Sequence, residues 1–166
     1  MDASVIKDLQ KIAWDYFQLH SNQRMAVFNY FIALSTLIVT GLGAALQQAS
    51  TKFNVLGAFL STLLIVVAFT FWKIDQRTRF LIKIAEEALK EIENMYTFPP
   101  DKVTPHCLQI FLFEEAATMN IKNNATKLLW TKQLSYTKSF NLIYGVFAVC
   151  GFIGLLSFVI LAIKHH

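Results

Sequence analysis

The first long apolar stretch of the chain carries a row of small and polar side chains. Between Met25 and Leu46 there is no Lys, Arg, Asp, Glu or His. Small or polar residues nevertheless recur there at steps of three or four, a spacing that places them on one face of a helix. In a membrane, such a face either packs against another helix or lines a water-filled cavity, and the sequence leaves both roles open. The row comprises Asn29, Ala33, Thr36, Thr40, Ala44 and Gln47.

Aromatic, amide and basic side chains flank the apolar stretches. Arg24 is the last charge before the first stretch, and Trp72 with Lys73 ends the second. Aromatic and basic residues at such positions are typical of the membrane–water interface. We therefore predict contacts with lipid headgroups or between subunits for one juxtamembrane set: Trp14, His20, Gln23, Arg24, Arg77 and Arg79.

The sequence contains no residue pattern typical of an enzyme. There is no Gly-rich phosphate loop, no zinc-ligand spacing, and no Ser or Cys placed near a His by a known motif. No His follows Arg24, Arg77 or Arg79 at the spacing of the HEPN-type ribonuclease signature. We expect a protein that is not an enzyme, with no catalytic residue, no cofactor and no bound metal.

Composition indicates the fold that must position these residues. Hydrophobic residues make up 55% of the 166 and charged residues only 16%, with a mean hydropathy of +0.45. Three apolar stretches, 25–47, 53–72 and 140–163, reach or exceed the ~20 residues that cross a bilayer as a helix. We predict an all-α integral membrane protein with three transmembrane helices. The first stretch begins after an amphipathic segment, so we do not expect a cleaved signal peptide.

The remaining segments are predicted to be helical and to lie on one side of the membrane. Residues 1–24 are predicted to form an amphipathic helix at the interface or against the soluble part, and residues 73–139 a small helical domain. No Gly or Pro follows Trp72 until Pro99, so the second span and this domain can share one helix. A heptad-like seam is predicted along it, formed by Ile74, Thr78, Leu81, Ala85, Ala88, Ile92 and Met95.

The distribution of charge predicts the orientation. Of the 15 Lys and Arg residues, only Lys52 and Lys164 lie outside the segments 1–24 and 73–139. The positive-inside rule therefore places the N-terminus and the helical domain in the cytoplasm and the C-terminus outside. The basic residues just before the third span fit a collar at the lipid headgroups. We do not expect direct binding of nucleic acid.

Two groups of residues carry a resemblance to a known family. The run from Trp14 to Arg24 with Phe28-Asn29 is one, and Asp75-Gln-Arg77-Thr-Arg79 with Ala85-Glu86 and Leu89 is the other. Over about the first 95 residues, they resemble small bacterial octameric inner-membrane proteins of the RipA type. The membrane accessory proteins of type VI-B CRISPR systems are similar too. The resemblance implies a helical homo-oligomeric ring and, for the CRISPR accessories, a pore that depolarises the cell during antiviral defence.

Two functions remain open at this stage. The first is a pore-forming effector that assembles from at least about six copies, since one three-span chain cannot enclose a channel. The second is a non-conducting membrane scaffold, as in stress response or envelope homeostasis, whose cytoplasmic helices bind a partner protein. A transporter is less well supported, because the spans contain no charged residue and no internal repeat.

Overall fold

Three long helices make up nearly all of the described chain. The computed structural model describes residues 3–48, 50–95, 110–114, 116 and 136–164. Its helices are α1 (Ala3–Leu46), α2 (Thr51–Met95) and α3 (Tyr136–Lys164), and residues 110–114 form a short helical segment. These described residues include no strand, and the all-α fold predicted from the sequence is confirmed.

Each long helix contains a stretch long and apolar enough to cross a membrane. The three candidate spans lie within Ser4–Leu46, Thr51–Met95 and Tyr136–Ile163. Three transmembrane helices were predicted from the same three apolar stretches, and this part of the fold is also confirmed.

The first two helices continue beyond their apolar stretches. Helix α1 runs through residue 24, where we placed the end of a separate amphipathic helix, and α2 runs through residue 72. Neither segment contains Pro, and α1 has no Gly before Gly41. Because nothing interrupts the backbone hydrogen bonds, apolar and amphipathic sequence can share one helix. The division of the chain into separate domains at residues 24, 72 and 139 stays a prediction.

The chain divides into two compact units, each described here by itself. One comprises residues 24–77 and 134–166, and the other residues 1–23 and 78–133. The first, which we call the three-helix unit, has two apolar clusters inside it. Aromatic rings dominate the cluster around Phe31, which packs against Phe140, Tyr144 and Ala68. The second cluster consists of Ile38, Leu42, Ala45, Leu64 and Phe158.

Glycines allow α2 and α3 to approach each other closely in the three-helix unit. A Cβ atom added at Gly57 would lie 2.3 Å from ring atoms of Phe158. One added at Gly154 would lie 2.7 Å from the Ser61 hydroxyl. The small residues therefore let α3 pack directly on α2, as is common between membrane helices.

The second unit buries a row of α2 residues at helical spacing. The buried side chains are Thr78, Ile82, Ala85, Leu89 and Ile92. Of the seam predicted from the sequence, Thr78, Ala85 and Ile92 are buried within the protomer, whereas Ile74, Ala88 and Met95 are exposed and Leu81 is half-buried. Packing of those exposed positions against other copies stays a prediction. The buried row keeps a seven-residue repeat, in alternating steps of four and three. It lies on the side of α2 that carries Ile82 and Leu89 rather than on the side that carries Leu81 and Ala88.

Candidate functional site

The polar row of α1 lies on the surface of the protomer. We call Asn29, Ala33, Thr36, Thr40, Ala44 and Gln47 the polar face, and all six are exposed. The opposite side of α1 is buried and holds Phe31, Ser35, Ile38, Leu42 and Ala45. The polar face is thus not used for packing inside the three-helix unit and is open to water, lipid or another protein.

The two threonines of the polar face bond to their own helix. The Thr36 hydroxyl donates to the Ile32 carbonyl at 2.8 Å, and the Thr40 hydroxyl donates to the Thr36 carbonyl at 2.9 Å. Such bonds satisfy the hydroxyl hydrogens and leave oxygen lone pairs directed outward. A threonine row of this kind tolerates an apolar neighbour and can also accept hydrogen bonds from water.

The exposed surface of α3 has a different character. Its exposed large side chains between residues 142 and 163 are all aliphatic or aromatic: Leu142, Val146, Val149, Phe152, Ile153, Leu156, Val159, Ile160 and Ile163. A face of this composition is suited to the hydrocarbon of a bilayer. The protomer therefore presents an apolar surface on α3, whereas the exposed surface of α1 combines the polar face with large side chains such as Tyr30 and Leu37.

An ion pair with a buried carboxylate joins α1 to α2. The Arg24 guanidinium donates from Nε to Asp75 Oδ1 at 2.7 Å and from Nη2 to Asp75 Oδ2 at 3.1 Å. The side chain of Asp75 is 2% exposed and that of Arg24 is 13% exposed. Arg24 Nη2 also lies 3.5 Å from the Thr137 hydroxyl of α3, and the guanidinium stacks 4.9 Å from the Phe140 ring centroid.

Aromatic stacking continues from this ion pair into the unit. The Phe28 and Phe140 rings are parallel with centroids 3.9 Å apart, and Phe31 contacts Tyr144 edge to face at 4.7 Å. The low-dielectric surroundings strengthen the pairing of Arg24 and Asp75 while raising the cost of removing either partner. The pair therefore holds three helices together at one end of the unit.

Sequence reasoning assigned Asp75 no role of its own. It appeared only within the run that carries the family resemblance. A usable signal was present, because Arg24 directly precedes the first span and Asp75 follows closely on the second. Two antiparallel spans joined by a short loop bring these positions to the same end, where opposite charges can pair.

Three of the other juxtamembrane residues have local partners. Trp14 stacks on Phe17 with ring centroids 5.7 Å apart, and His20 Nδ1 lies 3.1 Å from Gln23 Oε1. Arg77 is exposed and Arg79 is half-buried. These observations describe a single protomer. The contacts with lipid headgroups or with other subunits that we predicted for the juxtamembrane set, Arg24 included, therefore stay predictions.

Groups able to bind metal are scarce in the part of the chain that the structure describes. No three His, Cys, Asp or Glu side chains come close enough together there to hold an ion. Cys150 is exposed on α3 and has a free thiol. The expectations of no metal, no cofactor and no enzyme activity stay predictions.

Three membrane-spanning helices, one of them with an exposed polar face, define an integral membrane protein whose surface is suited to self-association. The chain belongs to the octameric membrane protein family (8xMP), whose profile matches residues 7–161. It is also similar to CD-NTase-associated protein 19 of Escherichia coli, with 33% identity over 143 residues that cover 86% of this chain and 83% of that relative. No solved structure matches the chain. The family resemblance drawn from the sequence is confirmed.

Proposed function

We propose that this protein assembles into a homo-oligomeric ring and acts as a pore-forming, membrane-depolarising effector of bacterial antiviral defence. Membership of an octameric family supports self-association. The name of the Escherichia coli relative associates that protein with a CD-NTase, which supports a defence setting of that kind. A CRISPR setting rests on the sequence resemblance alone. The proposal assigns no catalytic step to the chain, whose sequence carries no catalytic motif.

The observation that carries the pore proposal is the exposed polar face of α1. In a closed ring, the same face of each protomer meets the same environment. The apolar surface of α3 is the better match for lipid, so α1 is the better candidate for the inner side. Asn29, Thr36 and Thr40 would then supply uncharged hydrogen-bonding groups to a water-filled path.

The pore proposal is tested by making the polar face apolar. We expect the double substitution Thr36→Leu and Thr40→Leu to abolish ion flux from liposomes containing the purified protein, while the mass of the detergent-solubilised oligomer stays unchanged. Leucine removes the outward hydroxyl oxygens and narrows the path.

A matched control is available on α2. Thr62 is exposed and its hydroxyl donates to the Ala58 carbonyl at 2.9 Å, as in the two α1 threonines. Thr62→Leu is expected to conduct like the parent protein. Unchanged flux in the α1 double variant, or loss of the oligomer in that variant, would show that the polar face does not line a pore.

A non-conducting scaffold is the alternative function. In that case the polar face is an interface between copies, and the cytoplasmic helices bind a defence protein. Leucine substitutions would then change the oligomer mass, and the parent protein would not release ions from liposomes. The same two measurements thus separate the two functions.

The proposed location is the inner membrane, with the N-terminus and residues 73–139 in the cytoplasm. The support is the concentration of Lys and Arg in those segments. Reporter fusions at each terminus of the full chain test it. A cytoplasm-active reporter is expected to work at the N-terminus, and a periplasm-active reporter at the C-terminus.

A further inference from the structure

A groove on the three-helix unit runs between α2 and α3. Its volume is about 550 Å³, within the ~300–1,000 Å³ typical of sites that hold one small molecule. Small residues, Ala68, Gly145 and Ala148, line it together with the larger Phe69, Trp72 and Phe152. A Cβ atom added at Gly145 would meet no atom within 4 Å. The groove therefore exists because small side chains leave unfilled space between the large aromatic side chains of the two helices.

A basic side chain lies beside one end of this groove. The Lys73 ammonium lies 4.8 Å from the Trp72 ring centroid and 5.8 Å from that of Phe69, and both rings line the groove. Lys73 is exposed, and the ion pairs resolved in the described chain give it no carboxylate partner. Its polar neighbour is the Gln76 side-chain oxygen at 3.5 Å. A positive charge held over two aromatic rings is thus available to an anion.

We propose that this groove binds one acyl chain of an anionic phospholipid, whose phosphate pairs with Lys73. An acyl chain matches the apolar lining, and a headgroup phosphate complements the charge at the end where α2 leaves its apolar stretch. Basic residues beside grooves between membrane helices are suited to anionic headgroups. The site does not depend on whether the protein conducts ions.

The test uses the fluorescence of Trp72, which lines the groove. The full-length protein with Trp14→Phe and Trp130→Phe keeps Trp72 as its sole tryptophan and is reconstituted into phosphatidylcholine bilayers. Brominated phosphatidylglycerol or brominated phosphatidylethanolamine is then added as the quencher. We expect phosphatidylglycerol to show an apparent affinity about fivefold higher, because one lysine near an anionic headgroup contributes about 1 kcal/mol.

Two substitutions, each with a matched control, test whether the groove is the lipid site. Lys73→Gln should remove the preference, whereas Lys52→Gln, also exposed on α2 but at its start, should keep it. Gly145→Leu should reduce quenching by both lipids by filling the groove. Gly43→Leu is its matched control, because a Cβ atom added at Gly43 also meets nothing within 4 Å.

Three results would overturn the proposal. Equal quenching by both lipids in the single-tryptophan parent would show that the headgroup is not selected. Absence of quenching would show that a second copy or another protein covers the groove. A preference that survives Lys73→Gln would place the anionic site elsewhere, and this variant tests the proposal without altering a buried residue.

Discussion

Arg24 and Asp75 lie 51 positions apart in the chain and form an ion pair with two hydrogen bonds, of 2.7 and 3.1 Å. Asp75 is buried, and the Arg24 guanidinium also reaches Thr137 and the Phe140 ring. A charge in such a position is stable only while its partner is present. The pair therefore links α1, α2 and α3 where the first two spans begin and end.

Removing one charge of this pair should destabilise the protein. Asp75→Asn keeps the volume of the side chain but leaves Arg24 buried without a counter-charge, so we expect a loss of roughly 3–5 kcal/mol in the free energy of unfolding. Denaturant titration in detergent measures it. The double variant Arg24→Met with Asp75→Leu should lose less than Asp75→Asn alone. Arg77→Met, at an exposed position, is the control and should stay within about 0.5 kcal/mol of the parent.

The contact between Gly57 and Phe158 should tolerate no added carbon. In Gly57→Ala, the new methyl group overlaps the Phe158 ring, which is 1% exposed and has little room to move. We expect a loss of about 1–3 kcal/mol, typical of overpacking. Gly43→Ala should be neutral or stabilising, because alanine favours helix over glycine by up to about 1 kcal/mol. If Gly57→Ala and Gly43→Ala unfold at the same temperature, α3 does not pack on α2 at this point.

Glu86 should make the second unit sensitive to pH. Burial raises the pKa of this carboxyl above its usual value, and the nearby Glu114 carboxylate raises it further. The native state therefore holds its proton more tightly than the unfolded state does. This group costs no stability below its unfolded pKa near 4.5, and stability falls as the pH rises from there through the folded pKa.

The pH effect can be measured by thermal unfolding. Glu86→Gln should raise the unfolding temperature at pH 7 and leave it nearly unchanged at pH 4. Glu91→Gln, on an exposed position of the same helix, is the control for loss of a charge. A larger gain for Glu86→Gln at pH 4 than at pH 7 would reverse the sign and contradict the assignment.

Glu93 should hold the helical segment 110–114 against α2. Its carboxylate oxygens accept hydrogen bonds from the backbone N–H groups of Phe111 and Leu112 at 3.3 and 3.1 Å. Such bonds satisfy N–H groups that lack partners at the start of a helix. Glu93→Ala should therefore speed amide hydrogen exchange at both residues by about tenfold or more, since a charged acceptor contributes about 1.5–3 kcal/mol. Glu91→Ala should leave exchange at these two amides unchanged.

The positions of the helices could be predicted in part from the sequence. The long apolar stretches predicted the three spans, because burying that many apolar residues without charge has few other solutions. The continuity of α1 through Arg24 was not predicted, because a change from amphipathic to apolar composition resembles a boundary. Helix termination depends on backbone interruptions, however, and the sequence around Arg24 has none.

The seam on α2 shows a similar limit. Two seven-residue seams share Thr78, Ala85 and Ile92. One is completed by Leu81 and Ala88 and the other by Ile82 and Leu89, so the apolar residues alone fitted both. Which of Ala88 and Leu89 is buried depends on where the neighbouring helix lies. That position is a property of the packed unit and not of one helix.

The sequence by itself determined the class of the protein: all-α, three membrane spans and a family of octameric membrane proteins. The fold class and the spans follow from composition and periodicity, which act over a few turns of helix, whereas the family followed from the resemblance that two groups of residues carry. Only the tertiary structure decided that the polar face of α1 stays exposed, that Asp75 neutralises Arg24, and that small residues leave a groove beside Lys73. Each of these depends on which faces of separate helices meet, and side chains distant in the chain decide that together.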